Sequence, residues 1–188
     1  ILVLNTLKKI SRAAGVKEVL LLLQTNPKKT KVLIKVESTN LYPSLLFDEI
    51  KLRLFFKSIF SLHDHKFKGV LSVVFLNEEE HSKIHGDFLQ DYRPTDVITF
   101  PADLENEMVG EICVSVDRAI SEAESRNLPV EKELGLYLIH GWLHLVGFDD
   151  QNETDRKIIR REEANAMSVV DKDCLWPDFL LAPQSIEG

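Results

Sequence analysis

A chain of 188 residues with 44% hydrophobic and 28% charged side chains can bury one sizeable core but is short for two ordinary domains. Its two cysteines, Cys113 and Cys174, lie far apart and form no C-x-x-C pair, which argues against a disulfide framework or a cysteine-rich zinc module and favours a reducing cytoplasm. A net charge of −7 argues against a surface that is a nucleic-acid footprint throughout.

The sign is uneven along the chain. Residues 1–30 carry Lys8, Lys9, Arg12, Lys17, Lys28 and Lys29 against Glu18 alone, a basic leading arm that suits RNA or an acidic partner, or simply a solvated helical face. From Asn5 this arm has helical spacing (Leu7, Ile10, Ala14), and it ends at the turn-rich TNPKK. Its apolar run, Val19 to Leu23, is far short of the ~20 residues needed to cross a bilayer, so no membrane is expected.

Beyond the arm, KVLIKV (Lys31 to Val36) reads as a strand. Ser44 to about Leu62 places Leu45, Ile50, Leu54, Phe55 and Ile59 on helical spacing. GVLSVVFL (Gly69 to Leu76) reads as a buried strand, and EEEHSKIHGDFL after it as a short helix. Thr95 to Phe100 is a third strand, stopped by Pro101, and Val109 to Val116 a fourth. Asp117 is placed to cap a helix reaching about Arg126, and Pro129 opens another reaching about Val146, with Gly147 at its end. A charge-laced helix from Glu153 to about Met167 closes the order. The expectation is a single mixed α/β layer domain, a small four-stranded sheet with helices packed on it. It divides into the arm 1–30, the domain 31–168 and a mobile tail 169–188, from which Trp176 and Phe179 can pack back.

The chemistry concentrates in HGWLHLVGFDDQ, His140 to Gln151. Residues i and i+4 share a helix face about 6 Å apart, so His140 and His144 can offer imidazole nitrogens to one ion. Gly147 can turn the chain back in a left-handed conformation, and Asp150 can then add a carboxylate oxygen. Two neutral histidines and one carboxylate leave coordination positions open, the mark of a catalytic metal. Ordinary surface or core histidines are the plain alternative. His63 and His65, beside Asp64, read as solvated loop residues. The spacing H-x-x-x-H-x-x-G-x-x-D is similar to that of metzincin zinc peptidases. Their general base, a Glu directly after the first histidine, is here Gly141, which leaves a peptidase without its proton acceptor.

HGWLHLVGFDD closely resembles the signature H-G-x-L-H-L-x-G-(Y/F)-D-H of the YbeY family of bacterial rRNA maturation factors, departing only at Asp150, where the family has its third histidine ligand. PTDVITFP (Pro94 to Pro101) resembles the family's P-T-D-V-L-S-F-P, and GEICVSVDRA from Gly110 its G-D-I-x-I strand and helix. The resemblance covers about Lys31 to Met167. It implies a metal-dependent, single-strand-specific endoribonuclease acting on small-subunit rRNA, in contact with the small ribosomal subunit or its assembly factors. By the same resemblance His140, His144 and Asp150 hold one zinc ion per chain. A carboxylate in place of the third histidine weakens the Lewis acid and also suits Fe(II) or Mn(II). The family arginine that follows an aromatic falls on Leu89. Arg93 is left as the nearby phosphate contact, or as a solvated turn residue. Glu133 matches a family glutamate preceding the histidines; it can order one of them, or make a helix-surface ion pair. Two alternatives to the nuclease remain: the peptidase without its base, and a ribosome-assembly binding protein with a structural metal.

Overall fold

The computed structural model describes residues 34–103 and 107–183. The basic arm, its helix from Asn5 and the TNPKK segment lie outside the described residues. Four strands form one mixed sheet in the order β1-β3-β5-β4: β1 (Ile34–Asn40), β3 (Gly69–Leu76), β5 (Met108–Ser115) and β4 (Val97–Phe100). β1, β3 and β5 run parallel and β4 is antiparallel to β5. β5 sits inside the sheet and is buried along all but its first residue, which is why its sequence reads as a near-continuous apolar run.

Five helices pack on this sheet: α1 (Glu49–Phe60), α2 (Glu78–Leu89), α3 (Val116–Arg126), α4 (Val130–Leu145) and α5 (Glu153–Asp173). α4 carries the largest share of the core. Leu134, Leu138, Ile139, Trp142 and Leu143 are all buried, and the Trp142 ring lies 4.6 Å from that of Phe60 on α1. Gly141 lets α4 approach the sheet closely, since a Cβ there would come within 2.8 Å of Ile112 Cγ2 on β5. The mixed four-stranded α/β architecture expected from the sequence is the one observed. No helix among the described residues is long and apolar enough to cross a membrane.

Three expectations need correction. The first residues of the presumed helix from Ser44 form a short strand, β2 (Leu45–Leu46), and α1 starts only at Glu49. There Asp48 accepts hydrogen bonds from the N–H groups of Ile50 and Lys51 at 2.7 and 3.1 Å, a cap that fixes the boundary. α3 is capped by Ser115, whose hydroxyl accepts from Arg118 N at 3.3 Å. Asp117 instead accepts from the Tyr42 hydroxyl and from Glu78 N, both at 2.8 Å.

α5 runs past Met167 to Asp173, and the segment after it folds back on the core. β6 (Leu180–Leu181) pairs antiparallel with β2. Phe179 is buried, with its ring 5.4 Å from Phe75. Trp176 fills the space left by the missing side chain of Gly135, where a Cβ would lie 2.2 Å from the indole.

Candidate metal centre

The C-terminus of α4 builds the site. Gly147 has φ +101°, the left-handed conformation open to glycine. Its N–H donates to His144 O at 3.0 Å, and Phe148 N–H donates to Leu143 O, also at 3.0 Å. These two bonds are the Schellman closure of a helix. They place the Phe148 carbonyl where His144 Nδ1–H donates to it at 3.1 Å. Asn152 then caps α5 by accepting from Asp155 N at 3.0 Å, and α5 returns alongside α4. On it, Glu163 accepts from His140 Nδ1–H at 2.6 Å.

These partners decide which nitrogens are free. A carboxylate and a carbonyl can only accept, so both Nδ1 atoms carry the proton, and in the neutral rings both Nε2 atoms are bare lone pairs. The two Nε2 atoms face each other at 2.9 Å. Two bare acceptors that close repel unless a cation or proton lies between them. Asp150 Oδ2 stands 4.0 Å from His140 Nε2. One ligand atom from each of His140, His144 and Asp150 lies within 4.8 Å of the others, and all three residues are half-buried. The donor set fits a divalent cation: two oriented imidazoles and a carboxylate, with solvent access left for the remaining positions. Arg156 steadies the loop, its Nη1 donating to the carbonyls of Asp150 and Gln151 at 3.1 and 3.2 Å. Asp149 turns inward on the backbone, Oδ1 accepting from Asp150 N at 2.8 Å.

Burial disfavours a charged His140, but the hydrogen bond and charge of Glu163, with the nearby charges of Asp96 and Asp150, outweigh it and hold its pKa above the ordinary 6.5. In the metal-free chain the His140 proton therefore adds stability that is full below about pH 6.5 and fades as pH rises through the raised value. Metal must displace that proton, so affinity is expected to rise steeply with a midpoint above pH 6.5. Zinc titration calorimetry at about pH 6, 7 and 8 checks this; affinity flat across that range contradicts it. Replacing Glu163 by Gln keeps the shape but removes the charge that orients His140, and is expected to weaken metal binding about 10- to 100-fold.

Glu133 makes an ion pair, the second of the two roles expected for it. It is buried on α4 and pairs with Arg126 at the end of α3, Nη1 lying 3.0 and 3.3 Å from its two carboxylate oxygens. Burial raises the Glu133 pKa, and the Arg126 charge opposes that rise. Both histidine Nδ1 positions are already taken by Glu163 and Phe148, which leaves Glu133 linking two helices. Arg93 lies in the turn before β4 with its side chain 86% exposed, its Nε and Nη2 donating to Asp91 at 2.9 and 2.6 Å. Its backbone carbonyl accepts from His85 Nδ1–H at 3.0 Å.

His63 and His65 are not solvated, because the loop after α1 lies against aromatic side chains. His63 packs edge-on against Phe148 at 5.0 Å with Nε2 3.3 Å from Glu162 Oε2. His65 lies 5.7 Å from Phe67 and 5.3 Å from Trp142. Glu163, which meets His140 at 2.6 Å, is the residue of the candidate centre that sequence reasoning missed. It stands in a charge-laced helix beside a second glutamate, and nothing local distinguishes the two.

The family model described as Endoribonuclease YbeY matches residues 44–171, a span that holds the whole candidate centre. The chain is 41% identical over 106 residues to an Endoribonuclease YbeY of Rhodopirellula baltica, covering 55% of each protein. It therefore spans about half the length of that relative. It is 34% identical over 106 residues to the Endoribonuclease YbeY of Christiangramia forsetii, covering 56% of this chain and 74% of the relative. With that of Carboxydothermus hydrogenoformans it shares 27% over 137 residues and covers 96% of the relative. The solution structure of a Thermotoga maritima protein superposes with a TM-score of 0.51 at 23% identity, covering 75% of this chain and 91% of that one, which shows a shared fold. By the family match and these relatives, the chain belongs to the endoribonuclease YbeY family.

Proposed function

We propose that this chain is a metal-dependent endoribonuclease of single-stranded RNA, acting in the cytoplasm on small-subunit rRNA in its maturation and quality control. The observation that carries the reading is the pair of Nε2 lone pairs held face to face at 2.9 Å beside Asp150, with each Nδ1 already committed as a donor. His140, His144 and Asp150 would hold the ion, zinc or else Fe(II) or Mn(II). When bound, such an ion supplies Lewis acidity, polarising a phosphodiester oxygen and acidifying water. The chain's own contribution is to fix the ligands. Glu163 and the Phe148 carbonyl set the tautomers, and Arg156 holds the loop that presents Asp150. A phosphate contact from Arg93 requires that side chain to leave Asp91, so replacing it alone is expected to cost little activity.

Two rival readings lose support. A peptidase base would have to occupy position 141, which is pressed against Ile112 and Val97. A structural zinc closes with four protein ligands, whereas among the described residues the group has three. With a net charge of −7, grip on RNA by charge alone is weak, so docking to the small ribosomal subunit or an assembly factor would supply the rest. The test is cleavage of one RNA sequence presented single-stranded or as a duplex. The single strand should be cut at least about 10-fold faster, because its unpaired bases can be splayed out and its backbone can bend toward the ion. Equal cleavage of both, or of neither, refutes the proposal.

A further inference from the structure

We propose that Arg160 grips the backbone of the RNA strand beside the metal centre; this rests on the endoribonuclease reading. α5 reaches the centre at two points. Arg156 donates to the carbonyl of the ligand Asp150 at 3.1 Å, and Glu163 holds the ligand His140 at 2.6 Å. Positions 156, 160 and 163 recur with the helical repeat and share one face. Arg160 lies between the other two along the axis, about 40° round from Arg156. Ile159, on the other side of the same line, is buried in the core, and Arg160 is exposed, turned away from the core toward solvent.

Its chemistry is also distinctive. Among the described residues, Arg53, Arg93, Arg118, Arg126 and Arg161 are each in an ion pair with a carboxylate, and Arg156 is engaged by carbonyls. Among the described arginines Arg160 alone has no carboxylate or carbonyl partner, and it is exposed. An exposed guanidinium left with all its donors, in a chain of net charge −7, is suited to a bidentate phosphate contact. Arg93 is neutralised by Asp91 and lies on a different element. A strand whose scissile phosphate sits at His140, His144 and Asp150 would place a neighbouring phosphate within reach of α5.

The test measures binding of a single-stranded 2′-O-methyl oligonucleotide by fluorescence anisotropy from about 50 to 200 mM salt, with cleavage of the unmodified RNA followed in parallel. Arg160→Ala is expected to reduce the slope of log K against log salt by about 0.7, the value of one phosphate contact to a single strand. KM should rise about tenfold with kcat little changed. Arg160→Lys should recover most of the slope, whereas Arg161→Ala, the same charge change on another face, should leave it at the wild-type value. If wild type binds and cleaves while Arg160→Ala matches it in slope and KM, or Arg161→Ala loses as much, the arginine is wrong and the nuclease reading stands. If wild type neither binds nor cleaves, both fall.

Discussion

Replacing His144 by alanine should reduce bound metal from about one ion per chain to a small fraction of that and lower RNA cleavage by more than about 100-fold, since even partners one bond removed from a metal are worth 10- to 100-fold. The imidazole does two jobs: it offers one of the three ligand atoms, and its Nδ1–H ties the Phe148 carbonyl to α4 at 3.1 Å. Without it, His140 and Asp150 remain 4.0 Å apart as a two-ligand site, too few to retain an ion. The fold should survive, because the ring lies at the half-buried edge of α4 while its core is built by Leu138, Ile139, Trp142 and Leu143. Circular dichroism and a thermal melt close to wild type, measured on the samples assayed for metal, would separate loss of the site from loss of the fold.

Replacing Trp176 by alanine should do the reverse, costing about 3–5 kcal/mol of stability, the range for a large buried aromatic, with metal binding nearly intact. Trp176 is 9% exposed and occupies the notch at Gly135. Its Nε1–H donates to Asp171 at 2.9 Å, and Lys132 Nζ lies 3.8 Å above the ring. The contacts with Gly135 and Lys132 fall on the first half of α4, two turns and more before His144, and Asp171 lies at the far end of α5. Chemical denaturation gives the cost directly. A loss below about 1 kcal/mol would mean that the segment after α5 contributes little to the folded state.

The parts of this molecule that were legible in the sequence are those set by local rules. β3 appears at Gly69–Leu76 as an apolar run expected to be buried, and α4 runs between the Pro129 and Gly147 that mark its ends. The ligand spacing 140, 144 and 150 follows from helix pitch plus one glycine turn, and the three residues do converge. What sequence could not supply are choices made by contacts between distant residues. Glu163 meets His140 across 23 positions, whereas Glu162 beside it faces His63 and pairs with Arg161. Glu133 shares the helix of the histidines, but Arg126 on the neighbouring helix claims it. Ser115 and Asp117 are both good caps. Ser115 takes the role because Asp117 is drawn to Tyr42, 75 residues away. Where Trp176 and Phe179 pack back is likewise set at a distance: the notch at Gly135 that takes Trp176 exists only once α4 is folded, and Phe179 meets Phe75 on β3.

The decisive measurement is the metal content of the purified chain by elemental analysis, taken before chelation, after chelation and after an ion is restored, with cleavage of a single-stranded rRNA fragment followed on each sample. A centre made by His140, His144 and Asp150 predicts about one ion per chain, cleavage lost with the ion and regained with it. Cleavage that persists in metal-free protein, or an ion that comes and goes with no effect on the RNA, would contradict it.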